Sequence, residues 1–302
     1  MIYKQRAIPS ELLILKNLDT RMRLDEKDKQ YYANLKKGYE GEVKFDRLIE
    51  KLTCECLILN DLLLKQNNTL FQIDTLLITQ DSLYLYEVKN YEGDYYYDSD
   101  RLYKKNQKEI INPLIQLNRA ESLFRQLLKH LGYPTSIFAS VVFINPEFTL
   151  YQSPLNKPFI FPTQIYRHLK ELNTVSSKLT DDHKRLADKL LSLHVMDSPY
   201  RELPSFEYNE LRKGVICGEC FSLSMSVLGK HCICKKCGQK EIVETAVIRN
   251  VKEFQLLFPE QKITTNAIHD WCEIVTCKRR IQRILEKNFK IKGAHQWAYY
   301  VE

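Results

Sequence analysis

Between Glu11 and Lys37, Leu and Ile recur among dense charges with neither Gly nor Pro, a pattern that predicts one or two amphipathic helices at the edge of a core. Gly38 and Gly41 then predict a break, followed by a helix over about Glu42 to Leu52. Phe45, Ile49 and Leu52 share its buried face, and Glu42 lies on that same face. Leu70 to Thr79 and Leu83 to Asn90 read as strands, and the tyrosines at 91, 95, 96 and 97 supply another. Asn112-Pro113 starts a helix over Leu114 to Leu131, with Asn as cap and Pro in the first turn. The apolar run Ile137 to Ile144 is a buried strand, and helices follow over Thr163 to Leu172 and Thr180 to His194. Strands followed by a crossover helix and another strand imply an α/β class with a mixed sheet.

Asp197 to Pro204, with two prolines, reads as a linker. Beyond it, Val251 to Phe258, Thr264 to Glu273 and Thr276 to Asn288 predict three short helices. Pro259 stops the first, and Thr276 caps the last. Lys290 to Tyr300, with Gly293 at a turn, forms a small wing, and the whole tail resembles a helix-turn-helix. The units expected are 1–198 with an N-terminal helical segment, 205–240 around the cysteines, and 245–302 as a basic helical module.

With 302 residues, 44% hydrophobic and 27% charged, the chain is long enough for one sizeable core plus smaller appendages. The start has no apolar signal region, and no stretch approaches the roughly eighteen uncharged residues of a membrane span, so a cytoplasmic location is expected by default and no membrane partner. The net charge of +7 concentrates at the C-terminal end, where Lys278, Arg279, Arg280, Arg283 and Lys287 face little acid. Such a field attracts phosphate-rich partners, nucleic acid and DNA in particular, although an amphipathic helix with a solvated basic face carries the same pattern.

Chemistry concentrates in two places. Asp74 lies on the first of the paired strands, and Glu87 and Lys89 share one face of the second. A turn centred on Gln80-Asp81 places Asp74 opposite Glu87, Leu76 opposite Leu85 and Ile78 opposite Leu83. Two carboxylates on an apolar face repel and are costly to desolvate unless a cation neutralises them, which points to Mg²⁺ or Mn²⁺. Lys89 could then serve an attacking water or the charge that develops on a phosphate. The plainer alternative is a solvated E-x-K pair. Glu42 on its helix stripe, and Gln116 beside Ala120, Leu123 and Leu127 on the inward face of its helix, weigh against that.

Taken in order, Gly38-Tyr39-Glu40-Gly41-Glu42, Gln72-Ile73-Asp74, Glu87-Val88-Lys89-Asn90 followed by Gly93, and Asn112-Pro113-Leu114-Ile115-Gln116 resemble the nuclease-related domain (NERD) family. That family is itself similar to the PD-(D/E)xK restriction-endonuclease-like fold. The resemblance spans roughly Leu35 to Leu131. It implies a restriction-endonuclease-like mixed sheet flanked by helices and an active site of Glu42, Asp74, Glu87 and Lys89, with Gln116 as an auxiliary polar residue. Tyr91 fills the aromatic place after the Lys-Asn pair, whereas a Trp common farther on in the family is missing.

The second place is the cysteine module. Five of the nine cysteines lie between Cys217 and Cys237, and Cys217-x-x-Cys220 and Cys234-x-x-Cys237 form two knuckles thirteen residues apart. Four thiolates in two such loops suit a tetrahedral Zn²⁺, with His231 and Cys232 as competing ligands. A redox pair is the alternative. Cys54, Cys56, Cys272 and Cys277 read as buried or incidental thiols. Together these features predict a divalent-metal-dependent nuclease targeted by a zinc ribbon and a basic tail. The rivals are a non-catalytic nucleic-acid-binding scaffold and an adaptor whose C-terminal modules bind a protein partner.

Overall fold

The computed structural model describes residues 1–196, 202–294 and 297–301, so residues 197–201 of the expected linker and 295–296 of the expected wing lie outside it. The chain divides into two compact units, Met1–Ile8 with Ala33–Tyr200 and Pro9–Tyr32 with Arg201–Glu302. Among the described residues, no helix is long and apolar enough to cross a membrane.

The N-terminal elements are β1 (Ile2–Lys4), α1 (Ser10–Arg21), α2 (Glu26–Ile49), β2 (Leu57–Gln66), β3 (Thr69–Ile78) and β4 (Ser82–Lys89). Then come β5 (Gly93–Asp98), β6 (Arg101–Lys104), β7 (Glu109–Ile110), α3 (Pro113–Leu131), β8 (Ser136–Phe143), β9 (Phe148–Tyr151), β10 (Phe159–Ile160), α4 (Ile165–Thr174) and α5 (Asp181–Ser192). The main sheet has the order β1-β2-β3-β4-β8-β10. It is mixed, with β2-β3-β4 antiparallel and β4-β8-β10 parallel.

Side-chain alternation sorts this sheet into three layers. Leu76, Ile78, Leu83, Leu85, Val141 and Phe143 pack on Leu117, Phe124 and Leu128 of α3 and Leu186 and Leu190 of α5. The opposite face, Ile58, Leu77, Tyr86, Val88 and Val142, meets Phe45 and Ile49 of α2 and Ile165, Leu169 and Leu172 of α4. This is the α/β arrangement expected from the pattern. A second sheet, β7-β6-β5-β9, buries Tyr95 and Tyr97, so the tyrosine-rich stretch does form a strand but not in the main sheet.

Two differences from the pattern-based expectations have physical causes. α2 runs unbroken through Gly38 and Gly41 instead of restarting at Glu42. Gly41 is there for a close approach, since a Cβ would stand 2.5 Å from Asn90 Cβ. β1 and β2 were not foreseen: Leu57–Gln66 is rich in leucine, nearly free of β-branched residues and interrupted by Asn60-Asp61, so its local preference hides a strand. α3 begins as expected, with the Asn112 side chain accepting from Leu114 N at 3.1 Å.

The second unit holds α1, a three-stranded antiparallel sheet of β11 (Met225–Leu228), β12 (His231–Cys234) and β13 (Lys240–Ile242), and the helices α6 (Val243–Leu257), α7 (Thr265–Cys272) and α8 (Lys278–Asn288). A hairpin, β14 (Lys290–Lys292) with β15 (Tyr299–Val301), ends it. The ribbon and the helices share one core, which joins Ile14 and Leu18 to Cys232, Val247, Phe254, Trp271, Ile281 and Leu285. α6 starts at Val243 rather than Val251, because β13 leads straight into it and its β-branched first turns disguise the helix. Thr276 does not cap α8: Cys277 takes that position without a side-chain cap bond, and Thr276 O lies 3.1 Å from His269 Nε2. At the centre Arg21 is fully buried, forked onto Glu253 at 2.6 and 2.9 Å and stacked 3.8 Å from the Trp271 ring.

Candidate active site and cysteine centre

Neither ladder of β3 pairs Asp74. Register with β2 passes from Asn60↔Thr75 to Leu62↔Ile73, leaving out Asp61 and Asp74, and register with β4 ends at Thr75↔Tyr86. Leu76 does face Leu85 and Ile78 does face Leu83. In place of a cross-strand partner, the Asp74 carboxylate accepts the Val88 backbone N–H at 2.8 Å through Oδ2. Glu87 shares the face of Leu85, the α3 side, and Asp74 and Glu87 are both buried, 5% and 1% exposed.

Lys89 Nζ stands 2.6 Å from Glu87 Oε1 and donates to Gln116 Oε1 at 3.0 Å. The Glu87 side chain is almost wholly buried, and this ion pair is the contact its Oε1 makes. Gln116 is exposed rather than inward, a correction to its helix stripe, yet its amide reaches the lysine. Asn112 Nδ2 donates to Asp100 O at 2.8 Å and anchors the start of α3, about one turn before Gln116.

Glu42 approaches from the other layer. Asn90 Nδ2 donates to Lys37 O at 2.7 Å, which, with Gly41 against Asn90, clamps α2 to the end of β4. Glu42 is held by Arg6, which was absent from the sequence-based site. Arg6 Nη1 donates to Glu42 Oε2 at 2.7 Å, while Nε and Nη2 fork onto Asp46 at 2.8 and 3.1 Å. No sequence signal marks this arginine, because it precedes the helices, with Ala7-Ile8-Pro9 between it and α1, and meets its partners only through the fold.

The electrostatics record the crowding. Burial, then the field of Asp74, pushes Glu87 up to about 8 and Glu42 up to about 7. Burial also raises Asp74, against the pull of Lys89 and the Val88 N–H. Burial alone would lower Lys89, but Glu87 and Asp74 outweigh it and hold the ammonium above its ordinary value. Two buried carboxylates crowded together, with one lysine between them, are the donor chemistry a hard divalent cation satisfies.

In the second unit the Sγ atoms of Cys217, Cys220, Cys234 and Cys237 all lie within 4.8 Å of one another, an arrangement that can hold a structural metal. Gly238, at φ +75°, makes the second knuckle's turn and donates its N–H to Cys234 O at 2.9 Å. The Ser222 hydroxyl lies 3.3 Å from Cys220 Sγ and 3.4 Å from Cys234 Sγ, and its bond is the main influence holding the Cys234 thiol down to about 6. His231 and Cys232 stand outside the group; Cys232 is buried in the hydrophobic core. Cys56 and Cys272 are buried, whereas Cys277 is exposed.

On α8, Ile281, Ile284 and Leu285 face the core, and Lys278, Arg279 and Arg283 are exposed. Arg280 is tied to Gly229 O at 2.8 Å, and Lys287 pairs with Glu244 at 2.9 Å. Lys290 and Lys292 add charge on the hairpin, where Trp297 is 75% exposed.

No curated protein and no solved structure matches the chain. One family model does, and its range takes in Glu42, Asp74, Glu87, Lys89 and Gln116 while leaving out Arg6: residues 37–144 match NERD, the nuclease-related domain.

Proposed function

We propose that the protein is a divalent-metal-dependent nuclease that hydrolyses phosphodiester bonds, with DNA as substrate. The observation that carries this reading is the buried Glu87 carboxylate, paired with Lys89 at 2.6 Å and crowded by buried Asp74, within the stretch that matches the nuclease-related domain. Asp74 and Glu87 would hold Mg²⁺ or Mn²⁺, which supplies polarisation of the scissile phosphate and activation of water. Val88 N–H fixes one oxygen of Asp74, so the carboxylate is oriented before any ion arrives. Lys89, kept charged by its two carboxylates, stabilises the negative charge that grows on the phosphate rather than taking a proton from water. Gln116 holds the lysine from α3, and Glu42 borders the site from α2.

The four-cysteine centre suits Zn²⁺, which would rigidify the ribbon as a closed structural site. The exposed cations of α8 and the hairpin would meet the phosphate backbone, as in a winged helix-turn-helix. Purified protein incubated with plasmid, single-stranded DNA and RNA in Mg²⁺ or Mn²⁺ tests the reading. Metal-dependent cleavage that Asp74→Ala, Glu87→Ala and Lys89→Ala each abolish is the expected result. Wild-type protein that binds DNA but cleaves nothing would favour the scaffold alternative.

A further inference from the structure

We infer that Arg6 is a positioning residue of this site, whose single guanidinium ties the Glu42 carboxylate on α2 to the main chain of Asp74 on β3. The inference rests on the nuclease reading above. Arg6 lies outside the matched range 37–144, and its side chain is only 3% exposed. Its donors go to Asp46 Oδ2 at 2.8 Å, Asp46 Oδ1 at 3.1 Å, Glu42 Oε2 at 2.7 Å and Asp74 O at 2.7 Å, with Thr75 Oγ1 farther off at 3.4 Å.

An arginine that merely pinned down the N-terminal segment would be satisfied by the fork onto Asp46. The two remaining short bonds go to Glu42 and to the carbonyl of Asp74, a residue that neither ladder pairs. That gap is where β3 would otherwise be least constrained, because its backbone has no ladder partner to hold it. The guanidinium fills it from the α2 face, while Val88 N–H holds the Asp74 side chain from the β4 side.

Charge supports the same assignment. Glu42, Asp46, Asp74 and Glu87, when ionised, stand against Arg6 and Lys89, leaving two negative charges that one divalent ion would cancel. A purely electrostatic role and a positioning role differ in their consequences. Lysine would preserve the charge but present a point donor in place of a planar fork, so it could not span α2 and β3 at once.

The test is Arg6→Lys in the full-length protein, with Asp46→Asn as second variant. Circular dichroism and thermal midpoint, DNA cleavage and Mn²⁺ titration are followed for each. For Arg6→Lys we expect a folded protein, a kcat lower by about tenfold or more with KM for DNA unchanged, and weaker Mn²⁺ binding, since small misplacements of reacting groups are expensive. Asp46→Asn, which frees the guanidinium from its second carboxylate, should change both readouts in the same direction but less. Folded Arg6→Lys with wild-type kcat and Mn²⁺ affinity overturns the inference. If wild type cleaves nothing, the nuclease reading fails by itself and the Mn²⁺ titration decides: equal affinity in wild type and Arg6→Lys, or no binding by wild type, overturns the positioning role. Unfolding of both variants would make the guanidinium structural and also end the proposal.

Discussion

Val88 gives its backbone N–H to the side chain of Asp74, at 2.8 Å, where a β-ladder would ordinarily use a carbonyl. The bond makes a sheet position and an active-site orientation the same thing. Asp74→Asn keeps an acceptor for Val88 but loses the negative charge, whereas Asp74→Ala loses both. Both variants should be inactive. The alanine should also expose the Val88 amide, at a cost of about 1–3 kcal/mol for an unpaired buried donor if water cannot reach it. Hydrogen exchange at Val88 checks this. Equal protection in the two variants would show that the bond orders nothing.

The raised carboxylates make a prediction about pH. In the unfolded chain a glutamate titrates near 4.5, while in the folded, metal-free protein Glu87 titrates at about 8 and Glu42 at about 7. Between those values the folded state holds protons that the unfolded state has released. Stability of the metal-free protein should therefore fall as pH climbs from about 4.5 to about 8, then level off. Glu87→Gln removes the larger contributor, so its urea midpoint should decline less over the same span. Parallel curves for wild type and variant would refute the assignment.

The cysteine centre predicts about one equivalent of Zn²⁺ per chain and a loss of the ribbon on removal. Cys237→Ser or a strong chelator should lower the thermal midpoint of the second unit. Because Cys232 stands outside the cluster, Cys232→Ser should leave the zinc content unchanged. Freshly reduced protein containing no zinc by elemental analysis would contradict the first expectation.

Binding of DNA should divide the five basic residues of α8. Charge reversal at Arg279 and Arg283, both exposed, should weaken affinity and flatten its dependence on salt, because fewer counterions are released. Arg280 and Lys287 already have protein partners, and their replacement by alanine should weaken binding less. Fluorescence anisotropy over a salt series measures both. An equal loss per unit of charge at all four positions would mean that only net charge matters.

Much of this architecture was readable from local pattern. The hairpin of β3 and β4, the Asn112-Pro113 start of α3 and the two cysteine knuckles declare themselves through alternation, capping chemistry and spacing. What escaped depends on partners distant in the chain. β2 is held by a neighbouring strand against its own leucine-rich preference. Gly41 looked like a helix breaker because its role lies in Asn90, across the fold. Glu42, Asp74, Glu87 and Lys89 carry short motifs, whereas Arg6 carries none and acts on Glu42 and Asp74 only after the sheet and α2 have come together.

The buried fork between Arg21 and Glu253 spans 232 residues of chain. During synthesis at about 5–20 residues per second, α1 emerges on the order of ten to fifty seconds before its partner exists. Throughout that interval Ile14 and Leu18 lack the core that later covers them, while the sheet of the first unit is already being made. A fragment ending near residue 196 would be caught permanently at that stage, with an arginine and an apolar helix face awaiting a surface that never arrives. Solubility of such a fragment should therefore improve when 9–32 is deleted or its leucines are made polar, even though that segment lies at the opposite end from the cut.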